Sequence, residues 1–274
     1  TMERTIQLLN GNSIPSIGLG LYRSTQADEV KSAIRWAYED GYRLFDTASY
    51  YGNEEPVGDG LAALDADREN YFVTTKIWNA EQASGDIEGA LDQSLKKLKL
   101  DYVDLYMIHW PVKAYYEKTW EEMLRLQEKG KIKNLGVCNC EEKQIAQLHQ
   151  NTGVFPVVHQ LECHPRYFDE ATISYCQHQG IAVQAYCPLG RCKYIDDPVL
   201  IRIAEKHQKS ASQVMLRWEM QKGILIIPKS VKKNRIHDNA ELFDFSLDEA
   251  DMTDIQALNQ MKRVIDLNPD TLGL

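Results

Sequence analysis

Ile17-Gly18-Leu19-Gly20-Leu21-Tyr22, followed by Arg23, is the first long apolar run, and what it lacks separates two architectures. An open, doubly wound dinucleotide-binding sheet carries G-x-G-x-x-G after its first strand, because the third glycine lets helix and strand pack closely. Here Arg23 stands where that glycine is needed. Upstream, Thr5 to Pro15 reads as a short hairpin turning at Asn10-Gly11. Downstream, seven more apolar runs follow: Leu44–Tyr51, Tyr71–Trp78, Val103–Trp110, Leu135–Cys140, Val157–Cys163, Ala182–Pro188 and Ile224–Val231. Most are continuously apolar rather than alternating, as in strands covered on both faces.

Amphipathic stretches separate them, among them Gln26–Asp40, Ile87–Leu98, Thr119–Lys129 and Ala211–Lys222. Thr25 with Asp28, and Ser210 with Gln213, have the spacing of capping boxes. Gly41, Gly130, Gly180 and Gly223 sit where helices should stop. Eight β/α units in one chain predict a (β/α)8 TIM barrel with an N-terminal hairpin. Two additional helices are expected at Asp197–His207 and Leu247–Met261. No linker interrupts residues 1–274, so a single domain is expected.

The chain is 43% hydrophobic and 26% charged, with a net charge of −9. That balance supplies a large core and no basic field for nucleic acid or an anionic membrane. No apolar run has the length of a spanning helix, and the first residues lack a signal-peptide core, so the cytoplasm is the expected address. The six cysteines form no C-x-x-C pair, which predicts reduced thiols and no structural metal. A metal-dependent barrel hydrolase would want an early His-x-His pair, and none of the seven histidines shows it.

In a barrel, chemistry belongs at the C-terminal strand ends. Asp46, Tyr51, Lys76 and His109 fall at such positions. Asp46 and Lys76 lie inside apolar runs, where a charge is costly unless paired, so each should be the other's counter-ion. A tyrosine hydroxyl is a poor acid at neutral pH, and an adjacent ammonium lowers its pKa.

The run Asp46-Thr47-Ala48-Ser49-Tyr50-Tyr51-Gly52-Asn53-Glu54 resembles the signature of aldo-keto reductases. So do Gly136-Val137-Cys138-Asn139, Gln160-Leu161-Glu162-Cys163-His164-Pro165 and Ile227-Pro228-Lys229-Ser230-Val231. The likeness runs in order from the hairpin to about Leu258 and is nearest the compact microbial and protist members, such as diketogluconate reductases and prostaglandin F synthases. It implies NADPH-dependent reduction of aldehydes and ketones. Tyr51 would be the general acid and Lys76, held by Asp46, the group that depresses its pKa, while His109 would orient the carbonyl. Asn139 and Gln160 would bond the nicotinamide carboxamide, with Cys138, Cys187 and Leu189 beside the cofactor and Tyr186 stacked on the nicotinamide. Lys229, Ser230, Val231 and Arg235 would hold the 2′-phosphate end, with Asn239 near the adenine.

The chain departs from the family's usual residues at Cys138 and Cys187, where serine is common, at His159 for asparagine and at Asp238 for glutamate. His159 should face the helices if Gln160 points inward. Both Cys138 and Cys187 are expected to be reachable from solvent in the empty site. Tyr22, Tyr50, Trp78 and Trp110 are expected to wall the substrate pocket. The loop Pro111–Lys118 and the tail after Met261 are short, predicting an open mouth and a small carbonyl compound as the only partner of a monomer.

Overall fold

The computed structural model describes residues 4–274. Strands β1 (Thr5–Gln7) and β2 (Ser13–Pro15) form the predicted antiparallel hairpin, Ile6 opposite Ile14. Its tip is closed by Leu8 N–H donating to Asn12 O at 2.7 Å. Only glycine fits comfortably at Gly11, whose φ is +89°.

Eight parallel strands follow in sequence order: β3 (Leu19–Gly20), β4 (Leu44–Asp46), β5 (Phe72–Ile77), β6 (Val103–Ile108), β7 (Ile132–Cys138), β8 (Val158–Glu162), β9 (Ala182–Tyr186) and β10 (Leu225–Ile226). The first meets the last. Gly18 N–H donates to Ile226 O at 2.9 Å, Ile226 N–H to Ser16 O at 3.0 Å, and Gly20 N–H to Pro228 O at 3.1 Å. Parallel bridges pair Ile17 with Ile226 and Gly20 with Lys229. These bonds close the sheet into a (β/α)8 barrel, and the seam has no room for a side chain at Gly20, whose Cβ would lie 2.8 Å from Ile227 O. The terminal strands are shorter than their apolar runs because only these few residues pair.

Helices Ala27–Glu39, Glu54–Ala62, Ile87–Leu98, Tyr116–Glu128, Glu142–Thr152, Glu170–His178, Ala211–Gln221 and Lys233–Ala240 surround the sheet, each following one strand. The two core layers are distinct. Leu44, Leu105, Met107, Val158 and Leu225 fill the barrel interior and floor, whereas Phe45, Tyr106, Val137 and Val183 pack outward on the helices. Ser210 and Gln213 form the capping box expected of them. Thr25 does not: the first helix is capped at Gln26 without a side-chain bond.

Of the additional helices, Pro198–His207 matches expectation, while the C-terminal one spans only Glu249–Gln256. Asn259 ends it, because its side chain takes both backbone groups of Phe168, at 3.0 and 2.9 Å, and pulls the chain out of helical path. A further turn, Pro269–Leu272, has no counterpart in the sequence reading.

Candidate active site

Asp46 is the last residue of β4 and Lys76 the fifth of β5, on adjacent strands. Both are fully buried. Lys76 Nζ donates to Asp46 Oδ1 at 2.6 Å, to Tyr51 Oη at 3.0 Å and to Thr47 O at 3.2 Å. Tyr51 is not on a strand. It ends a 3₁₀ turn, Ser49–Tyr51, which Gly52 terminates at φ +66°. That turn is braced from two sides. Ser49 Oγ bonds Lys76 O at 3.1 Å and also Glu81, whose Oε1 accepts Trp78 N–H at 2.9 Å. Asn53 Nδ2 ties the turn to Leu21 O at 2.7 Å and Ser24 O at 2.9 Å, while its Oδ1 accepts the Thr47 hydroxyl. Thr47, Asn53 and Glu81 were not singled out in the sequence. Thr47 and Asn53 lie in the quoted Asp46–Glu54 run, which could have flagged them; Glu81, in the helix Asn79–Ser84, carried no such signal.

Burial pushes the Tyr51 hydroxyl up to about 12; the Lys76 ammonium pulls the other way but does not outweigh it. The net shift is thus opposite to the one read from the sequence, because the low-dielectric site penalises a phenolate more than one ammonium, itself shared with Asp46, can favour it. Burial also acts against the Lys76 charge, yet Asp46, Tyr51 and Cys138 beside it leave the ammonium held more firmly than in water. His109 follows β6, and burial and the Lys76 charge drive its pKa well down, leaving a neutral imidazole. Its Nδ1 is buried without a partner among the described residues, and its ring meets Tyr51 edge-on at 5.7 Å.

Three of the four aromatic positions gather here. Tyr22 lies 5.0 Å from the Tyr51 ring; Tyr50 stacks on Trp78 at 3.8 Å, and Trp78 meets His109 at 5.2 Å. Tyr50 is 55% exposed and so belongs to the rim. Trp110 is buried after β6 and makes no ring contact with these three among the described residues; its carbonyl accepts Gln82 Nε2 at 2.9 Å. The tail after Met261 is fastened to the β8 end, where Val264 N–H donates to Glu162 Oε2 at 2.7 Å. It then reaches the loops after β5 and β6, with Asn79 Nδ2 on Leu272 O at 3.0 Å and Lys113 N–H on Gly273 O at 3.1 Å.

Around the same mouth, Asn139 has φ +59°, and its Oδ1 accepts Tyr186 Oη–H at 2.7 Å. Its Nδ2 donates to His109 O at 3.1 Å. Gln160 Nε2 donates inward to Asp46 Oδ2 at 2.9 Å and to Gln184 Oε1 at 2.8 Å. Its Oε1 has no partner among the described residues. His159, the next residue back, faces the helices as expected, with Nδ1 3.3 Å from Cys176 Sγ. Cys187, at φ +50°, and Leu189 are half-buried beside the β9 end. Past β10, Lys229 and Arg235 are exposed and have no acidic partner among the described residues, while Ser230 and Asn239 are buried and Val231 half-buried between them. Unpartnered cations around a serine fit a phosphate.

Cys138 departs from expectation. Strand alternation turns its side chain into the barrel against Met107 Sδ, 3.9 Å away, and it is 1% exposed. Burial pushes its thiol up to about 12, so it is neither reachable nor ionised. Cys187 is likewise pushed up by burial, to about 11, against the Arg191 charge.

The profile of the Aldo/keto reductase family matches residues 16–260. The chain belongs to the aldo/keto reductase family. It is 42% identical over 272 residues to the glyoxal reductase of Bacillus subtilis, covering 99% of this chain and 98% of that one. It is also 39% identical to the 9,11-endoperoxide prostaglandin H2 reductase of Trypanosoma cruzi, over 94% of this chain and 93% of its relative. Among solved structures, the Bombyx mori aldo-keto reductase AKR2E4 in complex with NADP superposes with a TM-score of 0.93 at 39% identity, over 98% and 97% of the two chains. This aldo-keto reductase thus shares both its barrel and nearly its whole length with relatives from bacteria, a protist and an insect. None of its described helices is long and apolar enough to cross a membrane.

Proposed function

We propose that this aldo-keto reductase reduces small aldehydes, 2-oxoaldehydes such as glyoxal among them, to alcohols with NADPH, as a one-domain monomer in the cytoplasm. The observation that carries the reading is the buried chain Asp46–Lys76–Tyr51, with bonds of 2.6 and 3.0 Å. It ends on a hydroxyl that keeps its proton throughout the neutral range.

Gln160, Asn139 and Tyr186 would hold the nicotinamide, whose chemistry would be hydride donation to the carbonyl carbon. Tyr51 holds the proton that the carbonyl oxygen takes up, and Lys76 stabilises the phenolate left behind. The neutral His109 ring orients that oxygen, since its nitrogens have no partner among the described residues. Trp78 and Tyr22 bound the space open to substrate. At the far end, Lys229, Ser230 and Arg235 hold the 2′-phosphate through charge-assisted hydrogen bonds.

The experiment is turnover of glyoxal and a panel of simple aldehydes with NADPH and NADH. Arg235→Met should raise the NADPH dissociation constant by about tenfold or more, the worth of one bond to a charged group, and leave NADH nearly unchanged. Equal losses with both cofactors would move the phosphate clamp elsewhere, and no turnover of any aldehyde would overturn the reading.

A further inference from the structure

We propose that a cavity outside the β8 and β9 ends is a binding site for a phosphate group, free or carried by a small monoester. It has a volume of about 230 Å³ and is lined by Arg166, Lys193, Tyr194, Lys262, Arg263 and Val264. None of these is among the positions assigned above to cofactor or substrate, and no carboxylate lines the cavity. In a chain of net charge −9, four cations gathered around one small space are a local inversion of charge.

Both guanidiniums are already oriented. Arg166 lies over the Tyr194 ring at 4.3 Å and Arg263 over the Tyr167 ring at 4.3 Å. Each has an acidic neighbour, but that neighbour is committed elsewhere. Asp197, 3.3 Å from Arg166, caps a helix through Val199 N–H at 2.9 Å. Glu162, 3.8 Å from Arg263, accepts from His164 Nε2 at 2.7 Å and from the Val264 and Ile265 backbones. Arg166 Nε is buried and has no partner among the described residues. Lys193 and Lys262 have no acidic partner at all among the described residues. The cluster therefore offers one unused guanidinium donor and two uncompensated ammonium groups, which suits a dianion.

The walls are fixed as well. Arg166 O accepts from Gln260 N–H at 3.1 Å and Lys262 N–H at 2.9 Å, and its own N–H donates to Tyr194 Oη at 3.2 Å. The segment after β8, the segment after β9 and the C-terminal tail thus meet here at fixed spacing, and binding costs little ordering. The volume is below the roughly 300–1,000 Å³ of pockets that enclose drug-sized ligands, which limits the occupant to a phosphate with a few attached atoms.

The test is calorimetric titration of inorganic phosphate, and separately of glycerol 3-phosphate, into enzyme saturated with NADP⁺, so that the cofactor's own phosphate clamp is filled. A saturable site in the wild type is expected. Lys193→Ala/Lys262→Ala should weaken it by about tenfold or more, since each lysine contributes a charge-assisted bond. Lys193→Arg/Lys262→Arg should keep it, and both double variants should turn over aldehyde at the wild-type rate. Tighter binding of the ester assigns the site to esters, and tighter inorganic phosphate to the free ion. Absence of saturable binding of both compounds, or equal affinity in the alanine variant, would overturn the proposal.

Discussion

Asp46, Tyr51, Lys76 and His109 were legible as residues because a carboxylate and an ammonium inside apolar runs demand an explanation. Thr47, Asn53 and Glu81, which brace the Tyr51 turn, were not, since polar residues outside the apolar runs look alike until their bonds are seen. The direction of the Tyr51 shift was also illegible, as burial cannot be read from a motif. Tyr51→Phe should lower turnover by about 10²–10⁴-fold, the usual worth of acid catalysis, while fluorescence titration shows NADPH bound as before. With the hydroxyl pushed up to about 12, reduction needs the protonated form and should show no loss from Tyr51 ionisation across pH 6–9. Alcohol oxidation needs the phenolate, so its rate should climb with pH through the alkaline range, which initial rates in both directions would reveal. Lys76→Met leaves Asp46 buried without its ammonium and should destabilise the fold by about 3–5 kcal/mol, measured by urea unfolding. Asp46→Asn/Lys76→Met should recover part of that stability and none of the activity.

At the level of elements, the strands were legible because both faces are covered and hydrophobicity runs unbroken along them. Helix ends were read with mixed success. Spacing alone suggested capping boxes at both Thr25 and Ser210, but only Ser210 occupies the cap, its Oγ accepting Gln213 N–H at 3.1 Å. At the other site the chain enters the helix one residue later, at Gln26, and Thr25 is left outside. Ser210→Ala should therefore cost about 1 kcal/mol of stability, and Thr25→Ala no more than about 0.5 kcal/mol. Equal effects in thermal melts of the two variants would contradict this assignment of caps. The short C-terminal helix teaches the same lesson, because Asn259 ends it through a tertiary bond to Phe168 rather than through any local stop signal.

The whole molecule closes as the count of eight runs implied, but the path of the tail was hidden, since docking on Glu162, Asn79 and Lys113 leaves no periodic trace. One buried group sets a property of the entire chain. Glu219, on helix Ala211–Gln221, is fully buried, and neither carboxylate oxygen has a hydrogen-bond partner among the described residues. Burial drives its pKa well above the ordinary 4.5. The Cys163 thiol and Tyr194 hydroxyl are neighbours that feel its charge, and no cation among the described residues is paired with it. Between the unfolded and folded pKa the native state binds a proton that the unfolded chain has released. Stability is therefore full below about pH 4.5 and falls as pH rises towards the folded value, by about 1.4 kcal/mol per unit. Glu219→Met keeps the volume and removes the proton. In urea unfolding the variant should exceed the wild type at pH 8, and the difference should shrink as pH approaches 4.5. A difference that stays constant between those two pH values would mean that packing at position 219, and not its titration, sets the change.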